Sequence, residues 1–345
     1  ILEYVINGRK NSKSISFFRM YLFILSHILS FIPHCISKHL SKNKSKEKNK
    51  KDKENIKKDN SIVYIYNDNL NEYKGQNLIK NTLLTSIFSF LSDAIINIFY
   101  FVGNEYKIFS FHVLNIYYIF QCVFIYIISY FILKYHFYKH HFLSLIINFI
   151  CFLTDFIIDI VKIVQEENNK YKYYIYIIIR LMRQILLGYM DCYAKLAMYE
   201  AFIAPYSLLV YRAIYENFFL IIFTIPFIFI TTEDVDGTNE IIFKGFLDNL
   251  NGIKMFYSFL LLIDNYFCNL FIMYIIDKFS PSHFTLAITL EAICKNVFDI
   301  IKNKMSDEEV DWDKYANCGI FFVLFIASMI HNEIFIINKC GLNEK

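Results

Sequence analysis

Ionisable side chains recur at helical spacing inside apolar segments of this sequence. In "RLMRQILLGYMDCYAK" (Arg180 to Lys195), the residues Arg180, Arg183, Gln184, Asp191 and Lys195 share an arc of roughly 120° at about 100° per residue. Glu291, Lys295 and Asp299, with Lys302, share an arc of roughly 80°. Arg212 and Glu216 form an i, i+4 pair, Asp155, Asp159 and Lys162 form a stripe, and Asp264 sits beside Asn265. Guanidinium groups offer forked donors to phosphate or carboxylate, and an ammonium acts as a point charge. Cations outnumber acids on the 180–195 face, so the expected ligand is an organic anion or a nucleotide-linked solute. Tyr176, Tyr211, Tyr215 and Tyr266 are available to stack on a base or sugar, although plain packing is the commoner role of an aromatic residue.

A different chemistry is suggested by "LKYHFYKHHFLSL" (Leu133 to Leu145), where His136, His140 and His141 have the H-x-x-x-H-H spacing of a histidine box. A membrane iron oxygenase of that kind needs about eight ligands drawn from several boxes. His27, His34, His39, His112, His283 and His331 stand alone and supply no second box. The favoured reading is a basic turn between helices, flanked by Tyr135 and Tyr138 at headgroup depth, with an iron enzyme as the lesser alternative. No metal, cofactor or catalysis is expected.

The elements that position these groups must tolerate hydrocarbon. The chain has 345 residues, is 56% hydrophobic and has a mean hydropathy of +0.36, more apolar than a water-exposed surface allows. Nine segments have the length needed to cross about 30 Å of hydrocarbon: 19–37, 78–102, 111–134, 141–164, 173–199, 205–230, 255–276, 282–303 and 316–337. The fold class expected is all-α, a polytopic membrane helix bundle. Ser37 to Asn60 carries ten Lys against four acids and is expected to be a disordered cytoplasmic loop within 38–77. Alternation from there places 277–283 and the C-terminal tail on the same side, with the acidic stretches 231–240 and 305–314 opposite. Arg9, Lys10 and Lys13 fall against that rule. The Lys run lacks interleaved aromatics, so nucleic acid is not an expected partner. Eight scattered cysteines show no C-x-x-C pair and suggest neither a disulfide framework nor a zinc site.

Three stretches together resemble the drug/metabolite transporter superfamily, in its branch related to nucleotide-sugar transporters. Phe111 to Phe149 is similar to that family's fourth and fifth helices joined by a basic turn. Leu186 to Phe219 is similar to its sixth and seventh, and Phe279 to Ile301 to its ninth, a helix that in the family opens with Ser-Pro and carries a buried Lys. The resemblance implies ten helices in two inverted repeats of five. Residues 1–172 would then hold helices two to five, with the first preceding Ile1, and 173–345 helices six to ten. It also implies alternating-access transport, with Pro226 and Pro281 as flex points, in an endomembrane or the plasma membrane. The family's helices are rich in glycine, whereas Gly188 is nearly alone here; Ala194, Ala197, Ala201 and Ala287 would have to permit close helix approach.

A charge at the bilayer centre costs about 2.5–3.5 kcal/mol even on lenient scales, so the charged faces should line a polar cavity or pair with one another. The substrate-binding set expected is Arg180, Arg183, Gln184, Asp191, Lys195, Arg212, Glu216, Asp264, Glu291, Lys295 and Asp299. Expected partners are membrane lipid and a small-molecule solute, with a homodimer as an allowed assembly. The alternative is a non-transporting membrane interaction protein that uses the Lys-rich loop to hold anionic lipid or a protein.

Overall fold

The computed structural model describes residues 20–39, 77–95, 115–135, 138–165, 170–228, 231–233, 239–241, 252–305 and 312–334. The Lys-rich loop, His136, and the side chains of Asp159, Lys162 and Tyr176 lie outside the described residues. A helix overlaps each of the nine segments expected from the sequence, most of them starting or ending a few residues outside the expected bounds. We label them α1 (Met20–His39), α2 (77–95), α3 (Asn115–Leu133), α4 (Lys139–Gln165), α5 (Lys170–Ala201), α6 (Pro205–Ile228), α7 (Gly252–Lys278), α8 (Pro281–Met305) and α9 (Trp312–His331). Among the described residues, five stretches are long and apolar enough to cross a membrane: Met20–His39, Lys139–Ile158, Pro205–Pro226, Met255–Lys278 and Lys314–His331. They are compatible with an integral membrane protein. In α5 and α8 the interspersed charges lower the hydropathy.

One local element departs from an all-helical chain. In the acidic stretch that begins at Thr231, Thr231–Glu233 (β1) pairs antiparallel with Asn239–Ile241 (β2), in the register Thr231 to Ile241 and Glu233 to Asn239. The β-branched threonines suit a pleated strand, and Asp236-Gly237 between the strands is a strong hairpin signal.

The chain divides into two compact units, each drawn from two separate stretches. Unit 1 comprises Ile1–Phe90 and Leu196–Asp277; unit 2 comprises Leu91–Lys195 and Lys278–Lys345. Each therefore takes residues from both of the contiguous segments 1–172 and 173–345, so compact unit and expected repeat are different divisions of the chain.

In unit 1, α1 packs on α6. Tyr21 hydrogen-bonds Thr224, His34 Nδ1 meets Ser207 Oγ at 3.0 Å, and the Tyr206 hydroxyl donates to Ser37 Oγ at 2.7 Å. The middle of α1 tightens into a 3₁₀ turn at His27–Ser30, where Ser26 and Ser30 hydroxyls donate back to the carbonyls of Phe23 and His27. Phe90 of α2 packs on Phe219 and Phe223 of α6.

In unit 2, α3, α4, α8 and α9 share a core of Ile119, Cys122, Cys151, Ile288, Ala292, Phe321 and Leu324. A polar pin crosses it. The buried Tyr126 hydroxyl lies 2.8 Å from Thr285 Oγ1 on α8 and donates to Ser328 Oγ on α9 at 2.9 Å. Ser144 of α4 donates to the Ala327 carbonyl of α9 at 2.7 Å. Gly188 lets α5 approach α3 closely, because a Cβ there would lie 2.8 Å from the Phe124 ring. Of the alanines expected to share that task, Ala194 and Ala197 are fully buried, Ala201 is half-buried and Ala287 is exposed.

Candidate functional site

In unit 1 the Arg212–Glu216 pair lies one helical turn apart on α6, and both side chains are 0% exposed. Arg212 Nε donates to Glu216 Oε1 at 2.9 Å, and Arg212 Nη2 donates to Ser89 Oγ of α2 at 2.6 Å. The second carboxylate oxygen, Glu216 Oε2, lies 2.7 Å from Nδ1 of His27, which is also fully buried. The 3₁₀ turn of α1 positions this imidazole, and Phe23 meets its ring edge-on at 5.3 Å. Glu216 is thus held between a guanidinium and an imidazole. The remaining donor nitrogen of Arg212, Nη1, and the Nε2 of His27 are buried with no hydrogen-bond partner among the described residues. Removing one partner of a buried ion pair typically costs about 3–5 kcal/mol, because the survivor keeps its desolvation penalty. Asp264, the other expected site residue in this unit, is exposed on α7 and makes no hydrogen bond or ion pair with a described residue.

Unit 2 gathers a second set. Arg183 Nη2 lies 3.3 Å from Asp93 Oδ1 of α2, with side chains 28% and 16% exposed. The Arg180 guanidinium sits over the Tyr117 ring at 5.6 Å. Tyr118, one residue along α3, lies in the electrostatic field of Glu291, Arg183 and Arg180 together. Three expected residues from two helices therefore lie within electrostatic range of one tyrosine. Gln184 and Asp191 are buried on α5 and Asp155 on α4, whereas Glu291 and Lys295 are exposed and Asp299 half-exposed on α8. Lys195 lies toward the other end of α5, in range of His283.

His140 and His141 lie just past the turn expected between the helices, not in it. They form part of the first turn of α4 and are buried, their ring centroids 4.1 Å apart. His141 Nδ1 accepts the Tyr138 N–H at 3.0 Å, which is the reciprocal half of a capping box with a histidine as acceptor. At the end of α9, His331 stacks on Tyr126 at 3.6 Å and faces His141 at 4.8 Å. The helix then closes in a Schellman turn: Glu333 N–H donates to the Ile330 carbonyl and Ile334 N–H to the Met329 carbonyl. Glu333 occupies the left-handed position usually given to glycine, with φ of 58°, at a cost of about 1–2 kcal/mol. Asn332 anchors the turn: Ser282 Oγ donates to its Oδ1 at 2.8 Å, and its Nδ2 donates to the Ser282 carbonyl at 3.1 Å.

Spacing marks Arg212 and Glu216 as a pair, and the fold pairs them. Their partners His27 and Ser89, and the Arg183 partner Asp93, lie far away in sequence and were not singled out, although Ser89 and Asp93 belong to a polar stripe on α2 with Thr82, Thr85, Ser86 and Ser92 that helical spacing could have revealed. No family model, no curated protein and no solved structure matches the chain.

Proposed function

We propose that this chain is a membrane secondary transporter that moves a small organic anion, or a nucleotide-linked solute, by alternating access. The observation that carries the reading is the Arg212–Glu216–His27–Ser89 cluster, fully buried among helices two of which are apolar enough to cross a membrane. Ionised groups placed at membrane depth are costly to keep and commonly belong to substrate or ion pathways. The polar groups around Tyr118 add support, since Arg180 and Arg183 can present forked donors to phosphate or carboxylate. The inverted-repeat architecture is part of the same proposal and would place rocking elements around such charges.

A thermal-shift screen of the purified full-length chain against nucleotide sugars, phosphorylated metabolites and amino acids is the first test. Bound ligand adds RT ln(1 + [L]/Kd) to apparent stability, about 2.7 kcal/mol at a hundredfold excess over Kd. A stabilising anionic ligand whose uptake into vesicles is lost when Arg180, Arg183 and Lys295 are replaced together by Ala supports the proposal. Unchanged uptake in that variant, or no uptake by the wild type of any anion that binds, would contradict it and favour a membrane interaction protein.

A further inference from the structure

We propose that His140, His141 and Glu333 form a binding site for a divalent transition-metal ion, clamping the end of α9 to the start of α4. The inference is independent of the transport reading. His140 Nε2 and His141 Nε2 lie 3.5 and 3.7 Å from the same carboxylate oxygen, Glu333 Oε1. One ligand atom from each of the three residues falls within a sphere where all lie within 4.8 Å of one another. Two atoms that share a tetrahedral zinc at about 2.0–2.1 Å sit about 3.3 Å apart, so the two carboxylate-to-imidazole distances already fit to within a few tenths of an ångström, and rotation of the imidazoles, at most about 1.5 Å at their nitrogens, closes the set. Two imidazoles and one carboxylate suit zinc and its first-row neighbours, and leave a coordination position for water.

The surroundings fit this role. Both imidazoles are buried, while the Glu333 side chain is 54% exposed, so an ion can arrive from the carboxylate side. The left-handed φ of Glu333 turns a residue outward from the helix end at a place where glycine would be unstrained, and strain of this kind gathers at functional sites. The Asn332–Ser282 bonds hold that turn in place. His141 must change tautomer on loading. In the metal-free chain its Nδ1 accepts the Tyr138 N–H, which places the proton of the neutral ring on Nε2. An ion at Nε2 moves that proton to Nδ1, with no net proton released, and displaces both the capping bond to Tyr138 and the bond of the ring to the His331 backbone. Exchange of the Tyr138 amide should therefore quicken when metal binds.

The test uses the untagged full-length chain in detergent, stripped with chelator and reloaded with zinc or cobalt alone. Elemental analysis should find about one zinc per chain, and the cobalt form should show visible d–d bands without a thiolate charge-transfer band. Replacing Glu333→Gln or His140→Gln should weaken zinc binding by about tenfold or more. His283→Gln should leave it within about twofold, because His283 bonds Ser280 at 2.8 Å and lies outside the triad. Glu333→Gly separates ligation from folding. It should raise the melting temperature of the chelator-stripped chain, by relieving the positive φ, and still weaken zinc binding by about tenfold or more. Zinc content at background, a cobalt–thiolate band, or triad variants that hold zinc as tightly as the wild type would each overturn the proposal.

Discussion

Replacing Glu216→Gln removes one charge and little volume from the centre of unit 1. Arg212 would then stay fully buried with no anion beside it, since the carboxylate that it meets at 2.9 Å is gone. Loss of one partner of a buried pair costs about 3–5 kcal/mol. The glutamine carbonyl can still accept the Arg212 Nε–H, which returns about 1 kcal/mol. The expected destabilisation is therefore about 2–4 kcal/mol. The paired replacement Arg212→Met with Glu216→Leu removes both desolvation penalties and gives up the bonds to Ser89 and His27, about 1 kcal/mol each. It should be no less stable than Glu216→Gln alone, although it changes twice as many residues. The assay is equilibrium unfolding in detergent of the wild type, Glu216→Gln, and the Arg212→Met, Glu216→Leu and double variants, the last three read with the wild type as a double-mutant cycle. A Glu216→Gln variant within about 0.5 kcal/mol of wild type, or strictly additive singles, would refute the reasoning, because a buried counter-charge cannot be removed without consequence.

Two further substitutions test the packing of unit 2. Gly188→Ala should destabilise by about 1–3 kcal/mol, because its Cβ would meet Phe124 at 2.8 Å, and Phe124→Leu should recover most of that loss in thermal unfolding. Tyr126→Phe removes the hydroxyl that joins Thr285 and Ser328, and should cost about 1–3 kcal/mol, measured as a lower unfolding midpoint. Arg183→Gln should cost no more than about 1 kcal/mol, since its partly exposed pair with Asp93 is screened, yet it should weaken anion binding in a titration.

Helix positions were legible because hydrocarbon demands about 20 apolar residues per crossing and the intervening stretches are polar. The charged faces of α5 and α8 were legible from their 100° periodicity, but not the direction in which each face turns. Lys295 and Arg212 read alike as intramembrane cations, and the fold leaves one exposed while burying the other entirely. That difference is set by tertiary neighbours. Arg212 finds Ser89 123 residues away, and Glu216 finds His27 189 residues away. The β1–β2 hairpin carried a local signal in Asp236-Gly237, obscured by the surrounding acidic residues. The histidine pair could not be interpreted without Glu333, which joins it through a strained helix end and not through any motif.

Counterflow in liposomes reads the central claim most directly. Vesicles holding the purified full-length chain would be loaded with an unlabelled anion identified by the binding screen and given the labelled anion outside. Transient accumulation of label by the wild type, abolished in the folded Arg212→Met/Glu216→Leu variant, is the result expected of a carrier whose buried charges belong to its transport cycle. Equal counterflow by that variant, or none by a wild type that binds the anion, would contradict it.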